Sequence, residues 1–132
     1  PAAGHGMRLS FRFLSVIAVF GCVCVGRVEA QEPRQRAAAA EAYDRGTSDY
    51  MTGNYAEAAQ WFETAHRMAP APAALMQAIR AHHKAENFAR AATLSLMLQE
   101  EYPGEAQAVQ YAQQILDEAA PNLFRVDVRC SG

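Results

Sequence analysis

Through the middle of the chain, apolar and polar positions alternate with the period of a helix, broken at short polar or proline-containing gaps. Small and apolar residues recur three and four apart, and β-branched residues are few, which favours helix over strand. The breaks at Gly53-Asn54, Pro70, Glu86-Asn87 and Pro103-Gly104 divide this region into five stretches. Helices are expected over Arg36–Thr52, Tyr55–Met68, Pro72–Ala85, Phe88–Glu101 and Glu105–Glu118. Pro72 suits a first helical position, where its missing N–H costs nothing. In the fifth stretch Ala108, Tyr111, Ala112, Ile115 and Leu116 share one stripe. After Pro121 the rhythm changes: Phe124, Val126, Val128 and Cys130 alternate with Arg125, Asp127 and Arg129, a period of two that predicts a strand. The expected class is all-α, with residues 31–36 a linker, 37–120 a helical domain and 121–132 the first strand of a truncated β domain or a tail.

An internal comparison sharpens this expectation. When the chain is laid over itself with Asn54 on Asn87, Asn54-Tyr55-Ala56-Glu57-Ala58-Ala59 falls on Asn87-Phe88-Ala89-Arg90-Ala91-Ala92. In the same register Met51 falls on Lys84 and Pro70 on Pro103. Each copy holds two helical stretches, a polar turn between them and a closing proline. This resembles the tetratricopeptide repeat, a family of helix-turn-helix units. In the first copy Gly46 takes the small position of helix A and Gly53-Asn54-Tyr55 the turn. Ala58, Phe62 and Ala65 match the helix B pattern, and Pro70 closes the unit. The physical logic agrees: a glycine inside a helix costs about 1 kcal/mol against alanine, and close approach of a second helix offsets it. Ala58 and Ala65, seven apart, share one face where small side chains let helices touch. The pattern departs at Ala42, Arg45 and Asp49, where bulky residues are usual, with Tyr50 supplying an aromatic one position late. In the second copy Ile79 holds the small position, Glu86 replaces the turn glycine, and Ser95 replaces the phenylalanine, while Ala91 keeps its place. The fifth stretch begins a third repeat or caps the second, since two repeats alone bury too little to be stable.

The start of the chain reads differently. Arg8 and Arg12 precede an uncharged, largely apolar run from Leu14 to Gly26, and Val28-Glu29-Ala30 places small residues at alternate positions. That is the order of a secretory signal peptide over residues 1–30, cut between Ala30 and Gln31. The run is shorter than the roughly 20 residues that span a bilayer. A second cut stays open: Val19-Phe20-Gly21-Cys22 resembles a lipoprotein box, with Phe20 where a small residue is usual and Cys22 carrying the lipid. Either way the folded part is expected outside the cytoplasm, periplasmic or secreted, touching a membrane only through this segment. The first methionine is Met7, and Gly132 falls inside the expected strand, so the chain is expected to be the N-terminal part of a longer protein. Signal-bearing repeat proteins with a following small β domain resemble bacterial envelope proteins in this arrangement.

Charge and composition narrow the function classes. The 132 residues carry 12 basic and 14 acidic groups, and without residues 1–30 the count is 9 against 13. That balance argues against nucleic acid, whose phosphates call for a basic surface. Three cysteines, Cys22, Cys24 and Cys130, build neither a disulfide framework nor a zinc motif. Cys130 is read as a small core thiol, or as facing the interior or a partner cysteine of the β domain. His82 and His83 are adjacent, so their rings point about 100° apart and cannot chelate one ion as an i, i+4 pair does; one is expected packed and the other solvated. No nucleophile elbow, phosphate loop or zinc-protease motif occurs, so no catalysis, metal or cofactor is expected.

The resemblance implies binding. In tetratricopeptide repeats helix A of each unit lines a concave groove for an extended peptide or a partner helix. Carried over, those positions are Tyr43, Thr47, Tyr50 and Met51 in the first copy and Met76, Arg80, His83 and Lys84 in the second. The set is aromatic, thioether and basic, suited to an acidic or C-terminal peptide of another protein; the alternative is an ordinary solvated helix face. The carboxylate-clamp specialisation needs Lys and Asn where this chain has Tyr43, Thr47, Ala73 and Gln77. The expected role is a scaffold or adaptor. A structural spacer that oligomerises through exposed ends, or an accessory module of an activity lying beyond Gly132, are the alternatives.

Overall fold

The structure, a computed structural model, describes the backbone of residues 25–130 and the side chains of residues 31–123. Residues 33–132 form one compact unit, and the packing below belongs to it. The described residues form five helices: α1 (Val25–Met51), α2 (Tyr55–Met68), α3 (Pro72–Lys84), α4 (Phe88–Glu101) and α5 (Ala106–Cys130). Helix α3 packs against α2, α4 and α5, and α4 packs against α5. Among the described residues the fold is all-helical, as the periodicity predicts.

The turn chemistry is the same after α1 and after α3. After α1, Gly53 has φ +86°, its N–H donates to the Tyr50 carbonyl at 3.2 Å, and the Asn54 N–H donates to the Asp49 carbonyl at 2.9 Å. This pair of bonds closes a helix around a left-handed residue and satisfies carbonyls the helix end leaves free. After α3, Glu86 has φ +60°. Its N–H donates to the His83 carbonyl at 3.1 Å, and the Asn87 N–H to the His82 carbonyl at 2.9 Å. A non-glycine residue is held left-handed there, at a cost of about 1–2 kcal/mol. Pro70 and Pro103 lie exposed in the breaks that follow α2 and α4.

The core is built largely of alanine. Ala58, Ala59, Ala78, Ala81, Ala91, Ala108 and Ala112 are buried together with Phe62, Leu75, Ile79, Leu94, Leu98 and Ile115. A second, smaller cluster joins Ala42, Ala65 and Ala74. Short side chains let helices approach closely, and Gly46 is the extreme case. A Cβ at Gly46 would stand 3.0 Å from the Phe62 ring and 3.2 Å from the Ala58 carbonyl oxygen. Tyr43 braces the same ring edge-on, with centroids 5.1 Å apart. The residues that fall on Gly46 and Phe62 in the self-comparison, Ile79 and Ser95, are both fully buried. The Ser95 hydroxyl donates to the Ala91 carbonyl at 2.8 Å.

Residues 31–36, expected as a linker, lie in the helical backbone of α1, with Pro33 within the helix. The strand expected from residue 121 is absent among the described residues: α5 continues through Pro121 to Cys130. Side chains from 124 onward, Cys130 among them, lie outside the described residues, as do Cys22 and Cys24. The Ala30–Gln31 bond, expected as a cleavage point, is in the helical backbone of α1.

Three substitutions test this account by urea denaturation of the variants. Gly53→Ala is expected to lose about 1–2 kcal/mol, the cost of a left-handed alanine. Glu86→Gly is expected to gain about 0.5–1 kcal/mol, because glycine's extra unfolded-state freedom cancels part of the relief. Gly46→Ala is expected to lose about 1–3 kcal/mol by overpacking against Phe62. A neutral Gly46→Ala variant would show that the α1–α2 approach does not limit packing.

Candidate functional site

Helical spacing places Tyr43, Thr47, Tyr50 and Met51 on one face of α1, and Met76, Arg80, His83 and Lys84 on one face of α3. Tyr43 and Tyr50 are half-buried against the main core, and the Tyr50 ring meets the Tyr55 ring edge-on at 5.1 Å. Thr47 is exposed and spends its hydroxyl on the Tyr43 carbonyl at 3.0 Å. Met51 is 80% exposed, an unusual position for a thioether. Met76 packs against the core, whereas Arg80 and Lys84 are exposed.

Helix α5 completes this face with residues the sequence reasoning missed. The Arg80 guanidinium carbon lies 5.9 Å from the centre of the Tyr111 ring, within cation–π range. Burial pushes the Tyr111 hydroxyl above the usual phenol range. The Arg80 hydrogen bond and charge oppose that shift, while Tyr50 and Glu118 add to it. Tyr50, Arg80 and Glu118 therefore all act on Tyr111, and the four residues come from three helices. Glu118 also stands 3.2 Å from His83 Nε2, and the His83 ring meets Phe88 at 5.5 Å. The basic strip expected from α1 and α3 is thus partly matched by a carboxylate. Arg80 and Lys84 pair with no carboxylate among the described residues. Tyr111 was legible in the sequence as part of the fifth stripe, but its meeting with Arg80 was not.

A second polar cluster joins α2, α3 and α4. Glu63 receives the Arg90 guanidinium through two hydrogen bonds, and its Oε1 lies 2.6 Å from His82 Nε2. Asn87 Nδ2 reaches the other ring nitrogen of His82 at 3.4 Å. Burial pushes the Glu63 carboxyl up, but the bonds from Arg90 and His82 outweigh it and hold the group below its usual range. Nearby, His66 Nε2 lies 3.2 Å from the Tyr102 hydroxyl and 3.3 Å from Glu101 Oε2. The expectation of one packed and one solvated histidine in the adjacent pair is corrected. His82 is buried on Glu63, and His83 is half-buried between Phe88 and Glu118. Among the described residues no three His, Cys, Asp or Glu side chains gather as a metal site. No described helix is long and apolar enough to cross a membrane.

The Glu63 cluster is a stability device with a definite pH signature. A carboxyl held below its unfolded value, near 4.5, contributes stability above that pH and loses it as pH falls through the folded value. Glu63→Gln is expected to cost about 1–2 kcal/mol at neutral pH, at the modest end because Arg90 remains 43% exposed to screening water. Denaturation profiles of the two proteins should converge below about pH 4.5. A constant gap down to about pH 3 would show that packing, not charge, carries the effect. No family model, no curated protein and no solved structure matches this chain.

Proposed function

We propose that residues 37–120 are two tetratricopeptide-like helical hairpins followed by a fifth helix, and that the face shared by α1, α3 and α5 binds an acidic, extended peptide of another protein. On this reading the chain is a non-catalytic adaptor of the bacterial envelope, exported by the leader ending at Ala30 and acting outside the cytoplasm. It needs no cofactor, metal or nucleic acid. Two features support the repeat reading: matching turns at Gly53 and Glu86, and an α3 that packs on α2, α4 and α5. The observation that carries the binding reading is the convergence of Tyr50, Arg80 and Tyr111 beside the unmatched Lys84. Rings held rigidly by neighbours lose little entropy on binding, and a guanidinium fork suits a carboxylate.

An Asp/Glu-rich peptide titrated against the full chain by fluorescence anisotropy tests this. Replacing Arg80 and Lys84 together by Ala should weaken binding about tenfold or more and flatten its dependence on salt. Affinity and salt dependence that survive both changes would refute the reading. A concentration-dependent oligomer that ignores such peptides would favour the spacer.

A further inference from the structure

The α1–α3 face is not uniform along its length. Beyond Tyr43, at the end opposite Lys84, it opens into a cavity of about 340 Å³. Ala40 and Tyr43 of α1, Ala65 of α2 with Ala69 just after it, and Ala73 of α3 line it, with Asp44 as the charged group among its lining residues. Ala40, Tyr43 and Asp44 continue the stripe of Thr47, Tyr50 and Met51, and Ala73 continues that of Met76, Arg80 and Lys84, at spacings of three and four. One continuous face therefore carries an apolar cavity at one end and two unmatched cations at the other.

Charge magnitudes decide where a carboxylate can sit. The start of α3 at the cavity presents about half a positive charge, and the full negative charge of Asp44 outweighs it. At the far end, Arg80 and Lys84 carry two positive charges against about half a negative charge at the C-terminus of α3 and one on Glu118, which leaves a net positive balance. Acid is thus repelled from the cavity and drawn to the other end. From Ala73 to Arg80 is seven helical steps, about 10 Å, and to Lys84 eleven, about 16 Å. An extended peptide advances about 3.3 Å per residue.

Resting on the peptide-binding reading above, we infer that the face accepts its partner in one register: a large apolar side chain enters the alanine-lined cavity, and an Asp or Glu three to five residues away meets Arg80 and Lys84. The apolar anchor supplies affinity, because a Leu or Phe side chain buried there is worth about ten- to a hundredfold. The acidic residue supplies direction.

A phage-displayed library of random twelve-residue peptides, selected on the full 132-residue chain, tests this. Enriched peptides should share a Leu, Phe or other large apolar residue and an Asp or Glu at a separation of three to five. Ala73→Phe, which fills the cavity from an exposed position, should weaken the enriched peptides about tenfold or more. Ala40→Leu, filling it from α1, should do likewise, and helical circular dichroism of both variants should match the parent chain. Enrichment of acidic peptides with no fixed spacing, or affinity untouched in both folded variants, would overturn the register while leaving acidic-peptide binding standing. Failure to enrich acidic peptides at all would overturn both.

Discussion

The contact of Gly46 with Phe62 is the constraint on which the rest of the packing depends. With no side chain at Gly46, α1 comes so close to α2 that a single methyl group would meet both the Phe62 ring and the Ala58 carbonyl. Phe62 is held in place by that backbone on one side and the Tyr43 ring on another. It then forms part of the same buried cluster as Leu75, Ile79, Leu94 and Leu98. A small chain with an alanine-rich core has few large side chains to bury. It gains stability by bringing helices close together, since dispersion falls away quickly with any gap.

The second half of the fold reaches burial by a different distribution of volume. Where the first half sets glycine on α1 and phenylalanine on α2, the corresponding positions of the second half carry isoleucine on α3 and serine on α4, all buried. The bulk has moved from one helix to the other, and a core tolerates that when total volume is kept. Serine in such a place needs a partner for its hydroxyl, and the Ala91 carbonyl one turn back provides it. The turn shows the same economy: Glu86 adopts the conformation Gly53 adopts, because the two backbone bonds that close the helix require it.

Helix α5 connects packing to the candidate binding face. Its inward stripe, Ala108, Ala112 and Ile115, joins the core, and its Tyr111 and Glu118 meet Arg80 and His83 of α3. Its Gln113 and Gln114 bond to Asp117 and Glu118 one turn on, so this part of the helix surface is polar. The result is a face with rigid rings, a carboxylate beside His83 and unmatched charge at Arg80 and Lys84.

The sequence alone determined the helices, because their causes are local. Periodicity, Pro72 at a first helical position, the polar turns and the small residues placed α2 and α4 at their observed bounds. The likeness of the two turns was legible too, in the register that lays Asn54 on Asn87. Half of the candidate face was legible through helical spacing on α1 and α3. What only the tertiary structure decided are matters of partnership between distant residues. Glu63 gains its low carboxyl pKa from His82 and Arg90 on two other helices, and Tyr111 meets Arg80 across an interface that spacing within one helix does not encode. The final segment shows the same rule from the other side. Its alternating pattern suited a strand, but alternation along one segment leaves its backbone state open, and α5 continues through it to Cys130.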